Sequence, residues 1–250
     1  MSRESKYSAV SVLSAVLIIV VWYLASIRLG MPIILPSPVE VVKDFVSLFS
    51  QKQFVMDICA TVIRALRSFV IIVFSGAFFG ILAGLMPWLK AFLKPVVTVF
   101  KATPVMSIIL LAFIWFKTGT VPVFSAFLMA FPVMYVQTLQ GVIHLDKKLD
   151  QMCRIYEISG FRKLKYFTVP ALIPSLVTGS KQSLSMIWKV VIASEVITIP
   201  SAGVGRSLQM AQIQLQTSYV FAWTIVAIIL TALGDMIFSI LIRRCLKYED

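Results

Sequence analysis

The chain has 250 residues, 59% of them hydrophobic and only 14% charged, against roughly 25% charged in an average soluble domain. With a mean hydropathy of +0.93 it has too little polar surface to cover a soluble fold of this size, which excludes an ordinary cytosolic enzyme, a disordered chain and a disulfide-stapled secreted module. The net charge of +12, from 23 basic and 11 acidic residues, would suggest nucleic acid in a soluble protein; in a multi-pass membrane protein it reads as Lys and Arg retained in cytoplasmic loops, with the lipid bilayer and no nucleic acid as partner.

Taken in chain order, the pattern predicts an all-α membrane protein of about six spans in a single transmembrane domain, 1–250. Residues 9–27 form the first apolar run. It is longer than the apolar core of a signal peptide, and no clean small-residue cleavage site follows it, so it reads as a span. Pro32, Pro36 and Pro38 interrupt the next stretch, since proline removes a donor and restrains the residue before it. Val39 to Phe49 then reads as a short amphipathic helix on the membrane surface, starting at Ser37 or Pro38. The second span, 58–85, carries Arg64 and Arg67 near its outer end. Gly76, Gly80 and Gly84 recur every four residues, a smooth stripe that lets another helix approach. The third span is expected over 96–116, the fourth over 121–143, the fifth over 169–199 and the sixth over 218–242. Pro170 and Pro174 fall in the first turns of the fifth, where proline is tolerated.

With the N-terminus inside, the inner segments hold about 14 Lys and Arg and the outer side about 7, an asymmetry that places both termini in the cytoplasm. The three cysteines have no metal or redox spacing, and His144 is the only histidine. A membrane-embedded enzyme would need convergent nucleophiles, bases or ligands that this pattern does not offer. A secondary transporter or channel is the other alternative, and no internal inverted repeat favours it.

The longest charged stretch, 144–168, is a cytoplasmic loop in this topology. Leu145, Leu149, Met152, Cys153 and Tyr156 fall on one face of an amphipathic helix. Asp146 can cap its start, and Gly160 can stop it in a left-handed conformation. Such a helix lies on anionic lipid or docks its apolar face into a groove of a cytoplasmic partner; physics alone leaves both open.

Three charges fall within the fifth span: Lys181 about half-way along, Lys189, and Glu195 near the outer end. Charges at such depth cost about 2.5–3.5 kcal/mol each and usually face the bundle interior or a water-filled path. With Ser185 and Trp188 they are candidates for a translocation path for a polar or anionic solute. The competing reading has Lys189 snorkelling outward and Glu195 fixing the outer loop. Lys189 and Glu195 do not share a face of a straight helix, so they are not expected to pair.

The 144–176 segment resembles the cytoplasmic EAA loop of the permease subunits of binding-protein-dependent ABC importers. The family pattern of E-A-A, three residues and Gly falls on Gln151-Met152-Cys153 and Glu157, and the basic-aromatic continuation on Arg162, Lys163, Phe167 and Val169-Pro170. Leu35-Pro36-Ser37-Pro38, Thr61-Val62-Ile63-Arg64, Pro104, Trp115-Phe116 and Ala193-Ser194-Glu195 with Gly203-Val204-Gly205 are similar to the nitrate/sulfonate/taurine branch. The resemblance implies a type I importer permease bundle in the bacterial inner membrane, with a coupling helix whose candidate ATPase-contacting residues are Leu149, Met152, Cys153, Tyr156, Glu157 and Gly160. It further implies a second permease subunit, identical or closely related, and an extracytoplasmic solute-binding protein. No phosphate-binding G-x-x-x-x-G-K-S/T loop is present, so the permease binds no cofactor directly and ATP is hydrolysed by a separate ATPase.

Overall fold

The computed structural model describes residues 3–145, 151–153, 155–156, 158 and 160–246. Its elements are helices: α1 (Arg3–Leu29), α2 (Pro38–Leu48), α3 (Lys52–Leu85), α4 (Pro87–Ala102), α5 (Val105–Trp115), α6 (Val121–Ile143), α7 (Val169–Thr198), α8 (Val204–Ile213) and α9 (Thr217–Leu246). Between α6 and α7, Gly160–Lys163 forms one helical turn, and Leu164–Thr168 a π-helical turn that runs into α7.

Local chemistry explains several boundaries. The Ser37 side chain accepts the Glu40 N–H at 3.3 Å, and the Glu40 carboxylate accepts the Ser37 N–H at 2.9 Å. This reciprocal capping box, with Pro38 at the first helical position, fixes the start of α2. α1 meets the rest of the chain near its C-terminal end: Trp22 Nε1 donates to Pro36 O, Ser26 Oγ to Leu35 O, and the Trp22 ring stacks on Phe221 of α9.

The centre is α3, α6 and α7. α3 and α6 run parallel: Gly76, Gly80 and Gly84 lie against Met134, Thr138 and Val142, so close that a Cβ on any of the three glycines would come within 2.5–2.6 Å of the facing side chain. The stripe read from the sequence is therefore a helix-packing seam. α7 runs antiparallel to α6, with Gly141 against Ser175 and Gly179 against Gln137 and Met134. Ala65, Ile72, Ala130, Met134, Leu184 and Ile187 fill the space between the three helices. α9 packs on α7 where Gly234 makes room for the Trp188 indole. A second cluster of Leu48, Phe54, Val204, Trp223 and Val226 ties α2, α3, α8 and α9 together at the end of the bundle that holds α8.

The third span expected over 96–116 is not one helix. α4 and α5 meet at 102° across Thr103 and Pro104. Pro104 is extended, with φ −62° and ψ 136°, as is Thr103 before it, whose N–H and hydroxyl both close back on Val99 O. Apolarity continues through the break, so hydropathy alone joined the two pieces. Among the described residues, three helices are long and apolar enough to cross a membrane, Lys52–Leu85, Val121–Ile143 and Thr217–Arg244, or four when α4 and α5 count as one broken span. α7 has the length, 30 residues, but its polar side chains set it apart.

Candidate functional site

α7 has an unusual surface. Between Val169 and Ile199 it exposes no large apolar side chain. Its exposed residues in the middle and toward the α8 end are Thr178, Lys181, Gln182 and Lys189, with Ser185 half-buried among them. These positions recur every three or four residues and so form one stripe. Gln137 of α6 extends it by donating from Nε2 to Gln182 Oε1 at 3.0 Å. Depth follows from the packing. Ser180 reaches the Met134 sulfur, and Met134 lies near the middle of Val121–Ile143, so Lys181 stands at mid-span. At the end of the stripe remote from α8, Gln137, Gln140, His144 and Ser175 line a cavity of about 380 Å³. There His144 Nδ1 lies 2.8 Å from Gln140 O.

Lys181, Ser185 and Lys189 of the expected path are thus brought together on one open face. Trp188 and Glu195 are not. Trp188 is 4% exposed and wedged against α9, and Glu195 is completely buried. The helical period explains the correction: Trp188 and Glu195 share a face with Leu184 and Val191, which points into the bundle.

Glu195 belongs to a second polar cluster that clamps α8. Its Oε1 lies 2.6 Å from Arg64 Nη1. Its Oε2 accepts from Thr61 Oγ1 at 2.8 Å and from the Gly205 N–H at 3.0 Å. Thr61 Oγ1 in turn accepts the Val204 N–H, Asp57 Oδ1 accepts the Gly203 N–H, and Ser207 Oγ donates to Asp57 Oδ2. Arg64 Nη1 also donates to Ala202 O. Consecutive N–H groups at the start of α8 therefore meet acceptors from α3 and α7, and two carboxylates sit at the positive end of a helix. Gly205 is required sterically, since a Cβ there would lie 2.3 Å from Ile192 O. Breaking a buried ion pair by removing one partner costs about 3–5 kcal/mol.

Of the expected coupling residues, Leu149 and Glu157 lie outside the described residues. Gln151–Cys153 is helical, with Tyr156 N–H bonded to Met152 O and Ile158 N–H to Cys153 O in a wide closing turn. Gly160 has φ +59°, the left-handed conformation expected of it. The expected apolar face is divided: Cys153 is 1% exposed and packs into the chain, whereas Met152 and Tyr156 are 38% and 71% exposed, joined by Ile155 at 79%. The loop places Cys153 inward, which a single periodic face did not foresee. Among the described residues no group of His, Cys, Asp or Glu converges in a way that could hold a metal ion.

The sequence reading missed Gln137, Gln140 and Gln182, amides standing inside apolar spans. It also missed the partners of Glu195. Their signal was present in Asp57, Thr61, Arg64 and Ser68, a polar stripe at three- and four-residue spacing on α3.

Residues 76–247 match the family of binding-protein-dependent transport system inner membrane components. The chain is 30% identical to a putative aliphatic sulfonates transport permease protein of Escherichia coli, over 93% of this chain and 89% of that one. It is 27% identical to its namesake in Bacillus subtilis, over 87% and 79%, and 26% identical to the taurine transport system permease protein of Escherichia coli, over 92% and 86%. Its fold is similar to a chain in the crystal structure of a bacterial ABC transporter involved in the import of the acidic polysaccharide alginate, with a TM-score of 0.61, 14% identity, and coverage of 94% of this chain and 96% of that one.

Proposed function

We propose, for a chain that belongs to the family of binding-protein-dependent transport system inner membrane components, that the polar face of α7 lines its half of a translocation path for a small anionic solute. The chain is a permease subunit of an ABC importer and a non-catalytic transport subunit of a multi-pass membrane assembly. The observation that carries the proposal is the exposed stripe of Thr178, Lys181, Gln182 and Lys189 at membrane depth. Such groups are costly against lipid and are found where they face a bundle interior or water. The stripe is open on one chain, so a second permease subunit closes the path over it. The cationic members favour an anion, in keeping with the sulfonate and taurine in the names of similar permeases.

In this reading the 151–168 segment, with Met152, Ile155 and Tyr156 outward, docks on a cytoplasmic ATPase that hydrolyses the ATP. The α8 end faces an extracytoplasmic binding protein, and both termini lie in the cytoplasm of a bacterial cell. The clamp on α8 holds that docking face in register with α7. The test is uptake by the assembled importer carrying Lys181→Met, which keeps the bulk of the stem and removes the charge. Uptake of an anionic substrate is expected to fall about tenfold, the worth of about 1.4 kcal/mol, at unchanged membrane level and ATPase binding. Undiminished uptake would remove Lys181 from the path.

A further inference from the structure

A groove of about 700 Å³ lies on the far side of Arg64 from the clamp, between α3 and the turn that enters α6, lined among others by Arg64, Arg67, Val70, Ile71, Gly119 and Thr120. Its volume is in the range of ligand sites. The two guanidinium groups in it are not equivalent. Arg64 is answered by Glu195, the only ion pair among the described residues, while Arg67 is exposed and makes no hydrogen bond to a described residue. Among the described residues the groove therefore keeps one uncompensated cation.

Its height is fixed by the parallel packing of α3 and α6. Counting back from Gly76 opposite Met134, Arg67 lies level with the second turn of α6, about 6 Å inside the start of that span. A cation at this level reaches the phosphates of the adjoining leaflet. Beyond it, toward the membrane centre, α3 exposes Val70, Ile71, Phe74 and Phe78 at 48–73%, an apolar strip continuous with the groove wall. An anionic head against Arg67 and an aliphatic chain along this strip match the groove in both chemistry and order. We infer that the groove holds one anionic phospholipid of that leaflet, its phosphate on Arg67 and the free edge of Arg64, and one acyl chain along Val70, Ile71 and Phe74. The site is separate from the α7 stripe and does not depend on its assignment.

The experiment uses the whole importer reconstituted in bilayers of equal phosphatidylglycerol and phosphatidylcholine, then extracted in mild detergent, with the phospholipid retained per permease read by native mass spectrometry. The wild type is expected to retain phosphatidylglycerol over phosphatidylcholine. Arg67→Gln is expected to lower that preference about fivefold, the worth of one basic residue at an anionic surface. Gly119→Phe is expected to do the same by filling the groove; a Cβ at Gly119 meets nothing within 4 Å, and the ring extends from it into the groove that Gly119 lines. Lys117→Gln, exposed on the same turn and outside the groove lining, should leave the preference unchanged. Equal retention of both lipids by the wild type, or undiminished preference in both groove variants, would overturn the proposal. So would displacement of phosphatidylglycerol from the wild type by hexane-1-sulfonate, which would give the groove to a small soluble anion.

Discussion

α7 and α9 are neighbours of equal length, 30 residues each, with opposite outer surfaces. α9 turns outward Ile228, Ile229, Leu233, Met236, Ile237, Ile240 and Leu241. α7 turns outward Thr178, Lys181, Gln182 and Lys189 and no large apolar residue of its middle turns. Mean hydropathy separates the two helices without siding their residues: α7 buries its apolar Leu172, Leu184, Ile187 and Val191 inward. In a bilayer the driving force for burying apolar groups between helices is weak, since lipid is as apolar as leucine. On the proposed function, the outer surface reports what lies outside: lipid beside α9, and water or a second subunit beside α7.

The largest effect is expected where the two faces are held in place. Glu195→Ala leaves Arg64, 12% exposed, without its counter-charge and frees the N–H of Gly205. A loss of about 3–5 kcal/mol should appear as a large fall in the thermal midpoint of the purified subunit and as protease cleavage near 199–204. A midpoint within a degree of wild type would show that the clamp carries no stability.

Next comes a reciprocal exchange across the two faces. Ile237→Lys puts a charge on the α9 surface, at a cost of about 2.5–3.5 kcal/mol near the membrane centre, and membrane-inserted protein should drop sharply. Lys181→Leu, the opposite exchange on α7, should insert as well as wild type and fail in uptake. Equal insertion of both variants would erase the proposed difference between the faces.

A smaller effect is expected at the distal segment. Tyr156→Ala should weaken ATPase association about 30-fold, from about 2 kcal/mol for a truncated aromatic anchor, as read by co-purification at matched membrane level. Cys153→Ala should change association far less, because Cys153 faces inward. If Tyr156→Ala retains a full complement of ATPase, the exposed residues here lie on lipid instead.

Much of this was legible in local sequence. Ser37 and Pro38 announced the start of α2. Gly76, Gly80 and Gly84 announced the seam with α6, and Gly160 its left-handed turn. Each is decided within one or two helical turns. What stayed hidden depends on distant partners. Glu195 meets Arg64 131 residues away, so its charge alone left open whether it lined a path or fixed the outer loop. Trp188 could be sided only once Gly234 offered it room. The break at Pro104 was marked by its proline, yet apolar residues on both sides concealed the 102° turn. Lys181 and Lys189 were visible because a charge inside an apolar span is conspicuous. Gln137 and Gln182 were not weighed, though an uncharged amide at that depth carries the same message.

The contrast between α7 and α9 is tested most directly by thiol chemistry in the assembled importer. Single cysteines would replace Lys181, Gln182, Ser185 and Lys189 on α7, and Ile229, Leu233, Ile237 and Ile240 on α9, in a background where Cys59, Cys153 and Cys245 are serine. Each would be exposed to a small charged methanethiosulfonate in membranes. The account predicts rapid modification along α7, slowed by an excess of the transported anion, and none along α9. Modification of the α9 positions with α7 inert would contradict it.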